Sequence, residues 1–128
     1  MARILVVDDE ATIRFVVSEV LRDGGFEILT AGSGREALDL LEMNRAVDAI
    51  VMDLRLGDMT GKHVLEEIRR SAHWASTPVV LMTGAVYSED TFPSEDAYQA
   101  LFAKPFRLAE LRQTLTDLLE QDGGTMPA

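Results

Sequence analysis

The sequence predicts an α/β fold, with five parallel strands in a doubly wound sheet and helices on both faces. Three observations carry this. Short, unbroken apolar runs recur at residues 4–7, 49–52 and 79–82. Between them lie segments whose apolar residues repeat at helical spacing. Strands without apolar–polar alternation are buried on both faces, which is the habit of parallel sheets covered by crossover helices.

The first strand, residues 3–7, ends in three consecutive acids, Asp8, Asp9 and Glu10. A helix follows over 11–23, with Ile13, Val16, Val17, Val20 and Leu21 on one side, and Gly24-Gly25 stops it. Residues 26–31 form a weaker second strand; Glu27 and Thr30 suit a sheet edge. The segment "SGRE" at 33–36 has the form of a capping box and opens a helix over 34–43. A third strand covers 49–52, and residues 54–60 form a loop. The next helix, 61–71, turns Val64, Leu65 and Ile68 inward. Pro78 opens a fourth strand at 79–82, and residues 101–103 make a short fifth. Between these two strands only residues 94–100 read as helical. Pro93 removes a helical donor and biases Phe92 to an extended form. The last helix runs over 108–119 through Leu108, Leu111, Leu115, Leu118 and Leu119. Right-handed crossovers, with the chain reversing after the second strand, give the order 2-1-3-4-5.

One domain is expected over residues 1–121, followed by a flexible tail over 122–128. The chain has 128 residues, 47% of them hydrophobic, enough for one core. It has no cysteine, which excludes disulfides and thiolate chemistry and fits a reducing, cytoplasmic setting. A net charge of −10 argues against a nucleic-acid partner. No apolar run approaches the roughly 20 residues of a membrane helix.

In doubly wound sheets ligands bind beyond the carboxyl ends of the strands. The residues that follow the strands are therefore the candidates. They are Asp8 and Asp9 after the first, Asp53 after the third, Thr83 after the fourth and Lys104 after the fifth. Three carboxylates at one edge repel one another unless a cation joins them. Mg²⁺ suits them, since it takes oxygen ligands and keeps waters. The two histidines, His63 and His73, fall away from this edge, so a zinc site is not expected. A carboxylate beside a metal, a lysine and a hydroxyl is equipment for phosphoryl transfer to an aspartate. Taken singly, each residue has a plainer reading as a loop acid, a turn residue or a surface lysine. The joint placement on four strand ends carries the argument.

The segments "VVDDE", "VMDLRLGDMTG", "PVVLMTG" and "KPF" identify what the chain is similar to. It resembles the receiver domain of bacterial two-component response regulators over residues 2–121. The resemblance implies a flavodoxin-like sheet, so the expected strand order rests on it as much as on the crossovers. The resemblance implies that Asp53 is the phosphoacceptor. Asp9 and Asp53 would ligate Mg²⁺ with the backbone carbonyl of Arg55, and Asp8 would act through water. Thr83 and Lys104 would each meet a phosphoryl oxygen, and the bond before Pro105 would be cis. The donor would be a histidine kinase or a histidine phosphotransfer protein. Output would come by conformational switching and contact with a downstream protein. The implied role is that of a phosphoacceptor with slow self-dephosphorylation, not of a classical enzyme. A chain that starts at Met1 and ends shortly after the last helix is expected to be of the stand-alone type. The alternatives are a receiver segment of a hybrid histidine kinase and a receiver-like binding module that is never phosphorylated.

Three departures from the family pattern matter. Gly57 stands where the family has proline, so a looser loop is expected. Leu101 occupies the place of the switch aromatic, with Phe102 beside it. The segment 84–100 lacks a regular helix pattern, so a long loop with at most a short helix after Pro93 is expected there. Two rival functions fit less well. An aspartyl phosphohydrolase wants a second acid two residues after the nucleophile, and Arg55 stands there. A nucleotide-binding domain wants a glycine-rich loop after the first strand, where this chain has acids.

Overall fold

The structure, a computed structural model, describes residues 1–43, 46–84 and 92–122. Five strands, β1 (Arg3–Val7), β2 (Glu27–Ala31), β3 (Ala49–Asp53), β4 (Val79–Thr83) and β5 (Ala100–Ala103), form one sheet. Its order is β2-β1-β3-β4-β5, and every pair is parallel. Among the described residues, the helices α1 (Ala11–Asp23), α2 (Gly34–Met43), α3 (Gly61–Arg70) and α4 (Leu108–Asp122) connect strands or follow the last one.

Alternation along the strands divides the core. Leu5, Val7, Ile50, Met52, Val79 and Leu81 pack with Ala37 and Leu41 of α2 and with Val64, Leu65 and Ile68 of α3. Ile4, Val6, Ala49, Val51, Val80 and Met82 pack with Val17 and Leu21 of α1 and with Leu111 and Leu115 of α4. The expected doubly wound architecture and strand order are thus present. The burial of β1, β3 and β4 on both faces explains their unbroken apolar runs. As expected, β2 lies at an edge.

Local chemistry sets the ends of the elements. Ser33 Oγ accepts a hydrogen bond from Glu36 N at 3.1 Å, as the capping box predicts. The Glu36 carboxylate, however, accepts from Gly32 N, one residue earlier than the box form. Thr60 Oγ1 caps α3 by accepting from His63 N. Several boundaries differ from the expectation. Phe26 precedes β2, Ser71 caps α3 instead of continuing it, and α4 runs on to Asp122. In α1, Val17 and Leu21 are buried, but Val16 is 38% exposed. The apolar stripe there is narrower than helical spacing suggests.

The helix expected over 94–100 is a single 3-10 turn, Glu95–Ala97. The chain then extends because the sheet takes it up: Gln99 N donates to Val79 O, and Gln99 Oε1 accepts from Val79 N at 2.6 Å. Ala100 accordingly belongs to β5. The long loop expected before Pro93 falls mostly on residues 85–91, outside the described residues. The tail from residue 123 onward is outside them too.

Arg69 does the work that a regular helix would do here. Its guanidinium donates twice to Ala97 O, at 2.7 and 2.9 Å, and to Trp74 O and Thr77 O at 2.9 and 2.8 Å. One side chain thereby ties α3 to both segments that flank β4. Removing it strands several carbonyls. Arg69→Ala should lower stability by about 2 kcal/mol, a fall in Tm of roughly 8 °C in thermal denaturation. Lysine, with no fork of donors, should restore little of it.

Candidate functional site

Register brings the candidate residues to one edge. Val7 pairs with Met52, Asp53 with Met82 and Thr83 with Ala103, so β1, β3, β4 and β5 finish together. Beyond these ends lies a cleft of about 530 Å³ lined by Asp9, Glu10, Asp53, Arg55, Gly57, Gly84 and Lys104.

Asp53 is the last residue of β3 rather than the first of the loop, and it is buried. Its Oδ1 accepts from Arg55 N at 2.8 Å, and its Oδ2 accepts from Lys104 Nζ at 2.5 Å. Asp8, fully buried, accepts from Glu10 N at 2.8 Å and from Lys104 Nζ at 3.4 Å. Lys104 thus bridges Asp8 and Asp53, and Glu10 Oε1 lies 4.0 Å from it. The Lys104-Pro105 bond is cis. Thr83 is buried at the end of β4, and its carbonyl accepts from Lys104 N at 2.7 Å, which ties β5's exit to β4. Asp9 is exposed at the cleft wall. Gly61 explains itself by close approach: a Cβ there would stand 2.8 Å from Asp53 O, so a side chain would push the end of β3 away.

Other candidates sit apart. Leu101 and Phe102, adjacent on β5, face opposite sides of the sheet. Phe102 packs with the α1–α4 core, its ring 5.3 Å from that of Phe106, while Leu101 is 38% exposed. His63 and His73 are outside the cleft lining. Two site neighbours were not singled out from the sequence. Glu10 was visible as the third acid. Arg14, which donates to Asp8 O at 2.7 Å, gave no signal beyond being a basic residue one turn into α1.

The electrostatics record crowding. Burial, and then the charge of Asp53, push the Asp8 carboxyl up to about 6, although the Glu10 amide and Lys104 pull it down. Burial works to lower Lys104, but its hydrogen bond to Asp53 and the charges of Asp53 and Asp8 outweigh this and raise it. A carboxylate whose folded-state value is raised stabilises the fold only while it is protonated. The Asp8 contribution is present below about pH 4 and lost as pH rises through about 6. Without divalent cation, stability should therefore fall between pH 4 and 7 by on the order of 2 kcal/mol from this group. Asp8→Asn should flatten that slope and melt higher than wild type at pH 7. An unchanged slope in the variant would show that Asp8 is not its source.

The negative charge left over after Lys104 is the feature a cation would answer. Among the described residues, no three His, Cys, Asp or Glu side chains form a closed ligand cluster. A metal here would therefore rest on few protein carboxylates and complete its shell otherwise. The oxygen-only donors fit Mg²⁺, which keeps several waters.

The family model for the response regulator receiver domain matches residues 4–116. The chain is 36% identical over 123 residues to the probable transcriptional regulatory protein TcrX of Mycobacterium tuberculosis, covering 95% of this chain and 51% of that protein. Among solved structures, the chemotaxis response regulator CheY4 of Vibrio cholerae superposes with a TM-score of 0.82 at 33% identity, over 92% of this chain and 98% of that one. The response regulator TrrA of Thermotoga maritima, solved in complex with Mg²⁺-BeF, superposes with a TM-score of 0.80 at 32% identity, over 92% and 99%. Fold, edge and matches agree: the chain belongs to the response regulator receiver domain family of two-component signalling. It spans about half the length of TcrX and 61% of the rice two-component response regulator ORR3. Among the described residues, no helix is long and apolar enough to cross a membrane.

Proposed function

We propose that the chain accepts a phosphoryl group on Asp53 and signals in the cytoplasm by a change of conformation that a partner protein reads. The observation that carries this is the Asp53 carboxylate, buried at the end of β3, with Lys104 Nζ 2.5 Å from its Oδ2. The Arg55 amide holds the other oxygen. Oδ2 is then the attacking atom. The chain's own groups prepare the transfer: the amide orients the carboxylate, and Lys104 offers positive charge to an incoming phosphoryl oxygen. Thr83, at the end of the neighbouring strand, would donate its hydroxyl to another. Asp9, Asp53 and the Arg55 carbonyl would hold Mg²⁺, with Asp8 acting through water. The ion would neutralise charge on the transferred group. The Mg²⁺-BeF complex of TrrA supports this assignment by analogy.

The phosphodonor is a histidine kinase or a histidine phosphotransfer protein, and the acyl phosphate then hydrolyses slowly. The chain is a phosphoacceptor and not a turnover enzyme. Incubation with acetyl phosphate and Mg²⁺ should add one phosphoryl group by intact mass, and chelation with EDTA should prevent it. Millimolar Mg²⁺ should also raise Tm by mass action. A mass unchanged by acetyl phosphate with Mg²⁺ would overturn the reading.

A further inference from the structure

The loop of residues 54–60 carries Arg55 and Gly57 along the cleft, and it is tied at both ends. At its base, Leu54 N donates to Met82 O, Gly61 N donates to Leu54 O at 2.8 Å, and Arg55 bridges to Thr60. At its tip, Gly57 has φ +82°, a value proline could never adopt, and Asp58 N donates to Leu56 O across it. The looser loop expected from glycine is thus anchored from outside. Asp58 Oδ1 accepts from Gly34 N and Asp58 Oδ2 from Arg35 N, both at 2.9 Å. Two successive amides at the start of α2 therefore grip both oxygens of one carboxylate from a distant loop. They hold Asp58 below the ordinary carboxylate range. Met59 fills the space where a Gly34 side chain would stand, so loop and helix meet without a gap. On the cleft side, Asp9 Oδ2 lies 3.6 Å from where a Gly57 Cβ would be.

We propose that Asp58 is a positioning residue for the cleft, its carboxylate locking the loop that carries Arg55 and Gly57 to the start of α2. Glycine at the tip gives the backbone its freedom, and the carboxylate removes that freedom at one setting. Without the lock the tip would sample several settings, and only a fraction would present the Arg55 carbonyl and the Asp9 wall together. Apparent cation affinity falls in proportion to that fraction. The inference rests on the assignment of the cleft as the Mg²⁺-dependent phosphoacceptor site.

The competing role is a plain helix cap, and Ser33 separates the two. Ser33 Oγ caps the next amide of the same helix, Glu36 N, without touching the loop. Mg²⁺ titration by calorimetry should show Asp58→Ala binding about tenfold more weakly than wild type. At subsaturating Mg²⁺ its phosphorylation by acetyl phosphate should slow by a similar factor and recover when Mg²⁺ is saturating. Ser33→Ala should lose a comparable amount of Tm and keep its affinity within about twofold. Asp58→Asn, which retains one acceptor oxygen, should fall between, and it supplies the comparison if the alanine variant does not fold. Affinity in the Asp58 variants equal to that of Ser33→Ala, with the same loss of Tm, would make Asp58 a cap and overturn the proposal. A wild type that binds no Mg²⁺ and takes no phosphoryl group would instead bring down the reading of the site itself.

Discussion

Asp53→Asn should take up no phosphoryl group under conditions that load the wild type fully. The substitution is nearly isosteric. It keeps an oxygen that can accept from Arg55 N, so the strand end and the β3–α3 turn have no reason to move. It removes the anionic oxygen that Lys104 now faces. An amide is too weak a nucleophile for the transfer, and no other acid among the described residues replaces it. Asp8 is fully buried, its carboxyl is raised to about 6, and it is turned toward the Glu10 amide. Asp9 and Glu10 are exposed at the cleft wall, and among the described residues no amide or lysine holds them at hydrogen-bond distance. The variant should also be at least as stable as wild type without Mg²⁺, because one of the crowded charges has gone. Loss of labelling together with unchanged or raised Tm is the combination expected. Full labelling of the variant would move the acceptor elsewhere.

Lys104→Ala should have the second largest effect, and on two properties at once. For the chemistry, it removes the one cationic side chain among the described residues that touches both buried acids at the cleft. Loss of a single preorganised charge of this kind costs about 10²-fold in rate, read as the initial rate with acetyl phosphate at saturating Mg²⁺. For stability, the raised Lys104 value means that its stabilising contribution is complete below the ordinary lysine range and disappears only at higher, alkaline pH. At pH 7 the whole contribution is therefore lost in the variant. Asp8 and Asp53 then face each other unscreened, and Tm at pH 7 should drop. At pH 5, where Asp8 is mostly protonated, the drop should shrink. A difference in Tm that does not depend on pH would mean that the lysine acts through packing. Arginine should not replace it, since a planar fork does not fit the place of a point charge between two carboxylates.

Much of the architecture was legible because the physics was local. The runs 4–7, 49–52 and 79–82 are apolar on both faces, and only a sheet covered twice needs that. Because all the strands run in one direction, their last residues share an edge. Asp8, Asp53, Thr83 and Lys104 could thus be gathered from sequence by a rule of topology. What could not be read rests on contacts between distant segments. Gln99 completing a strand edge with Val79 turns an expected helix into a 3-10 turn. Arg69 reaching Ala97 is invisible in a pattern read one helix at a time. The loop with Gly57 looked loose because its anchor, Asp58 on the amides of α2, joins residues more than twenty positions apart. Val16 reads as a core residue and is exposed, because periodicity sets the direction of a stripe better than its width.

The central claim is an acyl phosphate on one named side chain. Borohydride reduction tests it most directly, since it converts a phosphorylated aspartate to homoserine, which peptide mass spectrometry then locates. The wild type, loaded with acetyl phosphate and Mg²⁺, should yield homoserine at position 53 and at no other. Homoserine at position 8 or 9, or a phosphoryl group found on a histidine, serine or threonine, would contradict the account.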